Sequence, residues 1–260
     1  MRRLAVILLW LVLSLPARAE EVDLELLLLV DVSYSMSERE LEIQRRGYAT
    51  ALRSDAVFAA IRGGMLGRIA MSYVEWSNDQ EVVVDWRLLE TRADLDAFAN
   101  ALTAEFRQEL RRTGISGALL SGARMLEENR FDGLRRVIDI SGDGPNNLGP
   151  PVNRARDTVL AKGITINGLP LLTKDGFGTD WNLDRLDIYY RTCVTGGPGS
   201  FVIPVHGWGD FPRAVRRKLV LEIAGRAPLV HRAQAIARDP TDCLIGEKIW
   251  EQRRLYWNEP

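Results

Sequence analysis

Five uninterrupted apolar residues, Leu26-Leu27-Leu28-Leu29-Val30, run into Asp31-Val32-Ser33-Tyr34-Ser35-Met36-Ser37. No other stretch narrows the choice of fold as far. A strand alternates its side chains between two faces, so an all-apolar run needs cover on both. That describes a central strand of a parallel sheet with helices on either side. The polar ending puts Asp31, Ser33 and Ser35 at the carboxyl end of the strand, where ligands bind in open α/β sheets. The competing account is a plain helix entry, with Ser35 or Ser37 as N-cap and Asp31 accepting loop amides.

The rest of the chain alternates strand and helix signals. Ser37-Glu38-Arg39-Glu40 is a capping box, which predicts a helix over 38–61 closed by Gly63-Gly64. Strands over 68–76 and 81–86 are joined by only Ser77-Asn78-Asp79 and its neighbours, so they form an antiparallel hairpin with 81–86 at a sheet edge. A helix over 92–106 leads to Arg112-Thr113-Gly114-Ile115-Ser116-Gly117-Ala118, which opens a helix ending near Asn129. Strand 135–140 is followed by the loop Ser141-Gly142-Asp143-Gly144-Pro145-Asn146-Asn147. Helix 152–161, strand 164–172, helix 183–192, strand 201–205 and helix 211–224 complete the pattern, with Gly225 as cap. This order predicts a doubly wound α/β fold, mostly parallel, with one antiparallel edge strand. The tail from Arg226 reads as an extended arm pinned by Cys243, Trp250, Tyr256 and Trp257.

The start of the chain has the layout of a secretory signal. Arg2 and Arg3 precede the twelve-residue apolar segment Leu4–Leu15; Pro16 breaks it, and Ala17-Arg18-Ala19 is a small-x-small cleavage site. Twelve residues fall short of the roughly 20 that a membrane span needs. The division expected is therefore 1–19 signal peptide, 20–225 domain and 226–260 extension, with an exported, periplasmic or secreted product that has no membrane span after cleavage. Cleavage removes three arginines and no acid, leaving 31 basic residues against 35 acidic. That balance argues against nucleic acid as a partner. The two cysteines, Cys193 and Cys243, form a disulfide on this reading, as suits an oxidising compartment.

If strands 26–30 and 135–140 are neighbours, their carboxyl ends lie about 4.8 Å apart. Asp31, Ser33, Ser35 and Asp143 then converge, and Thr113 enters the same crevice. Two carboxylates and three hydroxyls make an all-oxygen donor set that suits Mg²⁺, or Mn²⁺ or Ca²⁺, rather than zinc. Asp31-x-Ser33-x-Ser35, then Thr113-Gly114, then a strand ending near Asp143-Gly144, resembles the metal-ion-dependent adhesion site (MIDAS) of von Willebrand factor type A domains. The resemblance covers about 22–225. More narrowly, Ser-Gly-Asp-Gly-Pro-Asn-Asn, Cys-Val-Thr-Gly-Gly-Pro-Gly and Val-Arg-Arg-Lys-Leu-Val-Leu-Glu-Ile-Ala resemble a bacterial group of exported A-type proteins classed as a domain of unknown function. The resemblance implies six strands in the order 3-2-1-4-5-6 and a ligand-binding ion. It implies direct coordination by Ser33 and Ser35, direct or water-mediated coordination by Thr113, and mainly water-mediated contact by Asp31 and Asp143. One departure stands out: Gly142 separates Ser141 from Asp143, where the family has Thr or Ser directly before the aspartate. Asp139 competes for the role, but lies inside the strand, where an unpaired carboxylate is costly.

Other chemistries find less support. A serine hydrolase needs a histidine beside its nucleophile; only His206 and His231 exist, and His206 falls on a strand about 14 Å from Asp31. An aspartyl-phosphate phosphatase generally has a second carboxylate where Ser33 stands. Gly142, Gly144, Asn146 and Asn147 could cradle a phosphate, but no lysine follows at Walker spacing. The expectation is a non-enzymatic binding module whose ion is completed by a carboxylate of an unidentified protein partner. A metal-dependent hydrolase or phosphatase is one alternative. An ion-free scaffold that binds partners through Phe177 and Trp181, at the rim of the crevice, is the other.

Overall fold

A computed structural model describes residues 19–33, 35–104, 112–173, 183–226 and 241–257. The signal-peptide reading of 1–18, the loop carrying Phe177 and Trp181, and His231 lie outside the described residues.

The main sheet contains β2 (Glu25–Asp31), β3 (Ile69–Trp76), β4 (Gln80–Leu89), β6 (Arg136–Gly142) and β7 (Thr165–Pro170), in the order β4-β3-β2-β6-β7. Only the β3–β4 pair is antiparallel. The apolar run of β2 explains why this strand is central. Leu26, Leu28 and Val30 enter the core on one face; Leu27 and Leu29 enter a separate core on the other. Each such side chain, fully buried, contributes about 1.5–3 kcal/mol. The first face is covered by α1 (Glu38–Leu52), α2 (Asp55–Arg62), α3 (Arg92–Leu102) and α7 (Phe211–Ile223). The second is covered by α4 (Ile115–Glu128), α5 (Val152–Leu160) and the short α6 (Leu186–Tyr189), which runs into a π-helical turn over Tyr190–Val194.

Several expectations change in detail. The sixth strand is reduced to two isolated parallel bridges beside β7, Gly168 with Val202 and Leu171 with Val205. Residue 203 donates to the Gly168 carbonyl and residue 205 to the Pro170 carbonyl, both at 3.0 Å. The rung that would join them needs an amide at residue 170, and proline has none. Among the described residues the main sheet therefore has five strands, with 201–205 in the sixth place of the expected order.

The single helix expected over 38–61 is two. Ser54 interrupts it: its hydroxyl donates to the Ala51 carbonyl and accepts from the Val57 amide, closing α1 and capping α2. A small parallel pair, β1 (Glu20–Val22) with β5 (Phe131–Gly133), was not anticipated; three-residue strands carry no periodic signal. The tail is not an extended arm over 245–257: it forms α8 (Ile245–Trp257). Cys193 and Cys243 are bonded, as expected, with their Cα atoms 5.4 Å apart.

Candidate functional site

The carboxyl ends of β2 and β6 lie side by side, Val30 against Ser141. The chain passes from β2 to β3 on one side and reaches β6 on the other, so this edge is the switch point of the sheet. Asp31, the last residue of β2, is fully buried, and its Oδ1 accepts the Ser33 amide at 2.7 Å. The Ser33 and Ser35 hydroxyls are 3.2 Å apart, and Ser35 Oγ donates to Asp143 Oδ1 at 2.8 Å. Four of the five expected residues thus form one connected group. Ser37 caps α1 in a complete capping box with Glu40, so the cap and the site use different serines.

Thr113 reaches the same sheet edge through its backbone. The Gly114 amide donates to the Ser77 carbonyl just past β3, and the Thr113 carbonyl accepts the Asn147 amide, both at 3.0 Å. Asn147 Oδ1 in turn accepts the Thr113 amide at 3.2 Å. No hydrogen bond joins the Thr113 hydroxyl to Asp31, Ser33, Ser35 or Asp143 in this structure.

The electrostatics are unfavourable to the carboxylates as they stand. Among the described residues, Asp31 Oδ2 is buried and makes no well-aligned hydrogen bond, although the Ser33 hydroxyl and the Asp143 amide lie near enough to the carboxyl to favour its charged form in part. Burial pushes the Asp31 carboxyl well above its usual range, and the Asp143 charge adds to the push. Burial raises Asp143 to about 6; the Ser35 hydrogen bond opposes this, while the Glu40 charge reinforces it. Glu40, which the sequence offered only as a cap partner, is thus a third carboxylate bearing on the site. Its Oε1 is held by Trp208 Nε1 at 2.8 Å.

Gly142 is explained by close approach. A β-carbon there would lie 2.7 Å from the Tyr190 hydroxyl and 2.8 Å from Asp31 Oδ2. Only glycine lets β6 pass the Asp31 carboxylate and deliver Asp143 as the next residue. Asp139 is excluded as a site residue: it faces the opposite core and pairs with Lys218. Asn146 is not available to cradle an anion. Its amide donates to the Tyr189 hydroxyl at 3.1 Å, its Oδ1 accepts the Ser116 amide at 3.0 Å, and its Nδ2 donates to Glu247 Oε1 at 2.8 Å. His206 is exposed.

Residues 21–227 match the family described as a protein of unknown function, DUF1194. The chain belongs to the DUF1194 family. A comparison with curated protein sequences gave no match. In fold, this DUF1194 protein is similar to the pilus adhesin SpaC from Lactobacillus rhamnosus GG (TM-score 0.57, 11% identity, covering 79% of this chain and 32% of that one). It is similar to proximal thread matrix protein 1 from the mussel byssus, whose structure is described with a zinc-occupied MIDAS motif (TM-score 0.52, 12% identity, 79% and 46%). A von Willebrand factor type A protein from Catenulispora acidiphila gives TM-score 0.53 at 12% identity, with 78% and 43% covered. The DUF1194 chain therefore carries a von Willebrand factor type A fold, and it spans less than half the length of each of these proteins.

Among the described residues no group of three or more His, Cys, Asp and Glu side chains is placed to hold a metal ion. The donor set assembled at the switch point is instead two carboxylates with serine hydroxyls, all hard oxygen. The poorly satisfied Asp31 Oδ2 and the mutual repulsion of Asp31 and Asp143 fit a divalent cation, which would neutralise both.

Proposed function

We propose that this DUF1194 protein is an exported, non-enzymatic binding module that uses a divalent cation at the switch point to hold an acidic group of a protein partner. The observation that carries the reading is the buried Asp31 carboxylate, one oxygen of which makes no well-aligned hydrogen bond, beside the Ser33–Ser35–Asp143 group. Asp31, Ser33, Ser35, Thr113 and Asp143 would hold the ion, with Mg²⁺ as the expected cation and Mn²⁺ or Ca²⁺ as substitutes. Bound there, the ion supplies an electrophilic centre for a carboxylate. The chain's own part is to hold the carboxylates and hydroxyls in place, and the cation's charge would offset the burial and repulsion that disfavour their ionised forms. The Ser33 amide fixes one Asp31 oxygen and the Ser35 hydroxyl fixes one Asp143 oxygen. Export accords with the Cys193–Cys243 disulfide, and no described helix is long and apolar enough to cross a membrane.

Titrating Mg²⁺ or Mn²⁺ into the mature protein while following thermal unfolding tests the reading. At cation concentrations 100 times Kd, stabilisation of about 2.7 kcal/mol is expected. Because Asp143 must be ionised to hold the ion, affinity falls as pH drops through about 6. In the metal-free protein the dependence has the opposite sign. The folded pKa of Asp143 is raised, so its contribution is present below pH 3.8 and lost as pH rises through about 6. No stabilisation by either cation at pH 7.5 would remove the ion from the reading. Metal-dependent turnover of generic esters or phosphate esters would overturn its non-enzymatic part.

A further inference from the structure

Helix α8 lies beyond the residues that define the family match, yet it touches both loops that bring Thr113 and Asp143 to the switch point. On the Asp143 side, a β-carbon on Gly246 would lie 2.1 Å from the Asn146 carbonyl oxygen, so the helix starts in direct contact with that loop. Glu247 Oε1 accepts Asn146 Nδ2 at 2.8 Å; the other acceptor within reach of that amide, the Pro150 carbonyl, is at 3.5 Å. On the Thr113 side, the Arg112 guanidinium stacks on the Trp250 ring, 3.7 Å from its centroid. Glu247 and Trp250 are three residues apart and share one face of the helix. The start of α8 is tied to the domain by the Cys193–Cys243 disulfide, whose Cys193 is fully buried in the second core.

Asn146 relays this contact. While its Nδ2 is held by Glu247, its Oδ1 accepts the Ser116 amide in the first turn of α4, and Asn147 pairs with Thr113 in both directions. Buried Asn146 is thus one of three ties between the loop after β6 and the start of α4, beside the Asn147–Thr113 pair and the Ser116 hydroxyl on the Leu148 carbonyl, and it is the one that α8 holds, through Glu247.

We infer that Glu247 and Trp250 of α8 are positioning residues for the ion site, setting the spacing between the Thr113 and Asp143 loops. The inference rests on the ion-site reading for its functional consequence, but its structural content can be measured without an ion. Groups that hydrogen-bond a metal ligand are typically worth 10- to 100-fold in affinity; Glu247 acts further out, through Asn146, so the low end of that range is the upper bound for it. Glu247→Ala should weaken Mn²⁺ binding measurably, by up to about 10-fold, in a calorimetric titration of the mature, disulfide-bonded protein. Glu247→Gln keeps a carbonyl oxygen for Asn146 and should bind Mn²⁺ like the wild type, a rescue that loss of bulk packing would not produce. Mn²⁺ affinity unchanged in Glu247→Ala would overturn the inference, as would equal loss in both variants. If the wild type itself binds no Mn²⁺, the ion-site reading fails separately, and hydrogen exchange decides the positioning role. Faster exchange of the Thr113, Ser116 and Asn147 amides in Glu247→Ala than in Glu247→Gln supports it; identical rates overturn it.

Discussion

Replacing Lys218 by alanine is expected to cost about 3–5 kcal/mol of stability, enough to leave much of the protein unfolded under mild denaturant. Lys218 lies on α7, 1% exposed, with Nζ 2.7 Å from Oδ1 of Asp139, which is equally buried. It also pairs with Glu222 one turn along the helix. Glu222 Oε1 accepts Asn167 Nδ2 from β7 at 3.0 Å, and Asn167 Oδ1 accepts the Phe201 amide at 3.0 Å. One lysine thus serves two carboxylates in a closed interior. Burial first, and then the Asp139 charge, raise Glu222 to about 8, against the pull of Lys218. Protonation of Glu222 below about pH 8 therefore lowers the charge that this closed interior has to hold. Removing Lys218 strands Asp139 without a counter-charge. Lys218→Met, which keeps most of the apolar stem, should recover only the packing part of the loss; adding Asp139→Asn should recover most of the remainder. Urea unfolding of the three proteins measures this, and a single-variant cost under about 1 kcal/mol would show that the pair is dispensable.

The same cluster predicts a pH dependence. The folded pKa of Glu222 is raised, so its contribution is present below 4.5 and lost as pH rises through about 8. Between pH 6 and 8, above the Asp143 transition, stability should fall by on the order of 1 kcal/mol per pH unit. Glu222→Gln, which retains the acceptor for Asn167, should remove its share of that slope and leave the share of Asp31, whose carboxyl is also pushed well up.

This cluster also shows where sequence reading stops. Asp139 was legible as a carboxylate that did not belong in a strand unless paired, but its partner lies 79 positions further along, on a helix whose exposed arginines mask the one buried lysine. Sequence patterns report faces and periods, not which cation meets which anion across a core. The central strand, by contrast, declared itself, because a five-residue apolar run has few solutions other than burial on both faces. Asp31, Ser33, Ser35 and Asp143 were legible for the same reason: their places at strand ends follow from the sheet order. The reason for Gly142 was not legible, since it depends on Tyr190 and Asp31 crowding one point of β6. Nor was α8, whose polar, irregular pattern hides contacts made through Gly246 and Glu247 rather than through an apolar stripe.

The second large effect is a change of sign at Asp31. In the metal-free protein, Asp31→Asn should stabilise the fold. The wild-type carboxyl is fully buried, one oxygen makes no well-aligned hydrogen bond, and burial and the Asp143 charge both disfavour its ionisation. The folded chain must therefore either protonate the group or bear its charge, a cost absent from the unfolded chain. Asparagine has no charge to bury and keeps an Oδ1 acceptor for the Ser33 amide, so the turn that follows β2 survives. In the presence of Mg²⁺ or Mn²⁺ the order should reverse. A cation at 1,000 times Kd adds about 4 kcal/mol to the wild type, whereas the variant, with half the anionic charge at the site, gains little. Unfolding curves with and without cation, on both proteins, give the four numbers required. A structural role alone predicts that Asp31→Asn shifts both wild-type curves in the same direction by the same amount. A crossing of the two orders is what a cation held by Asp31 requires.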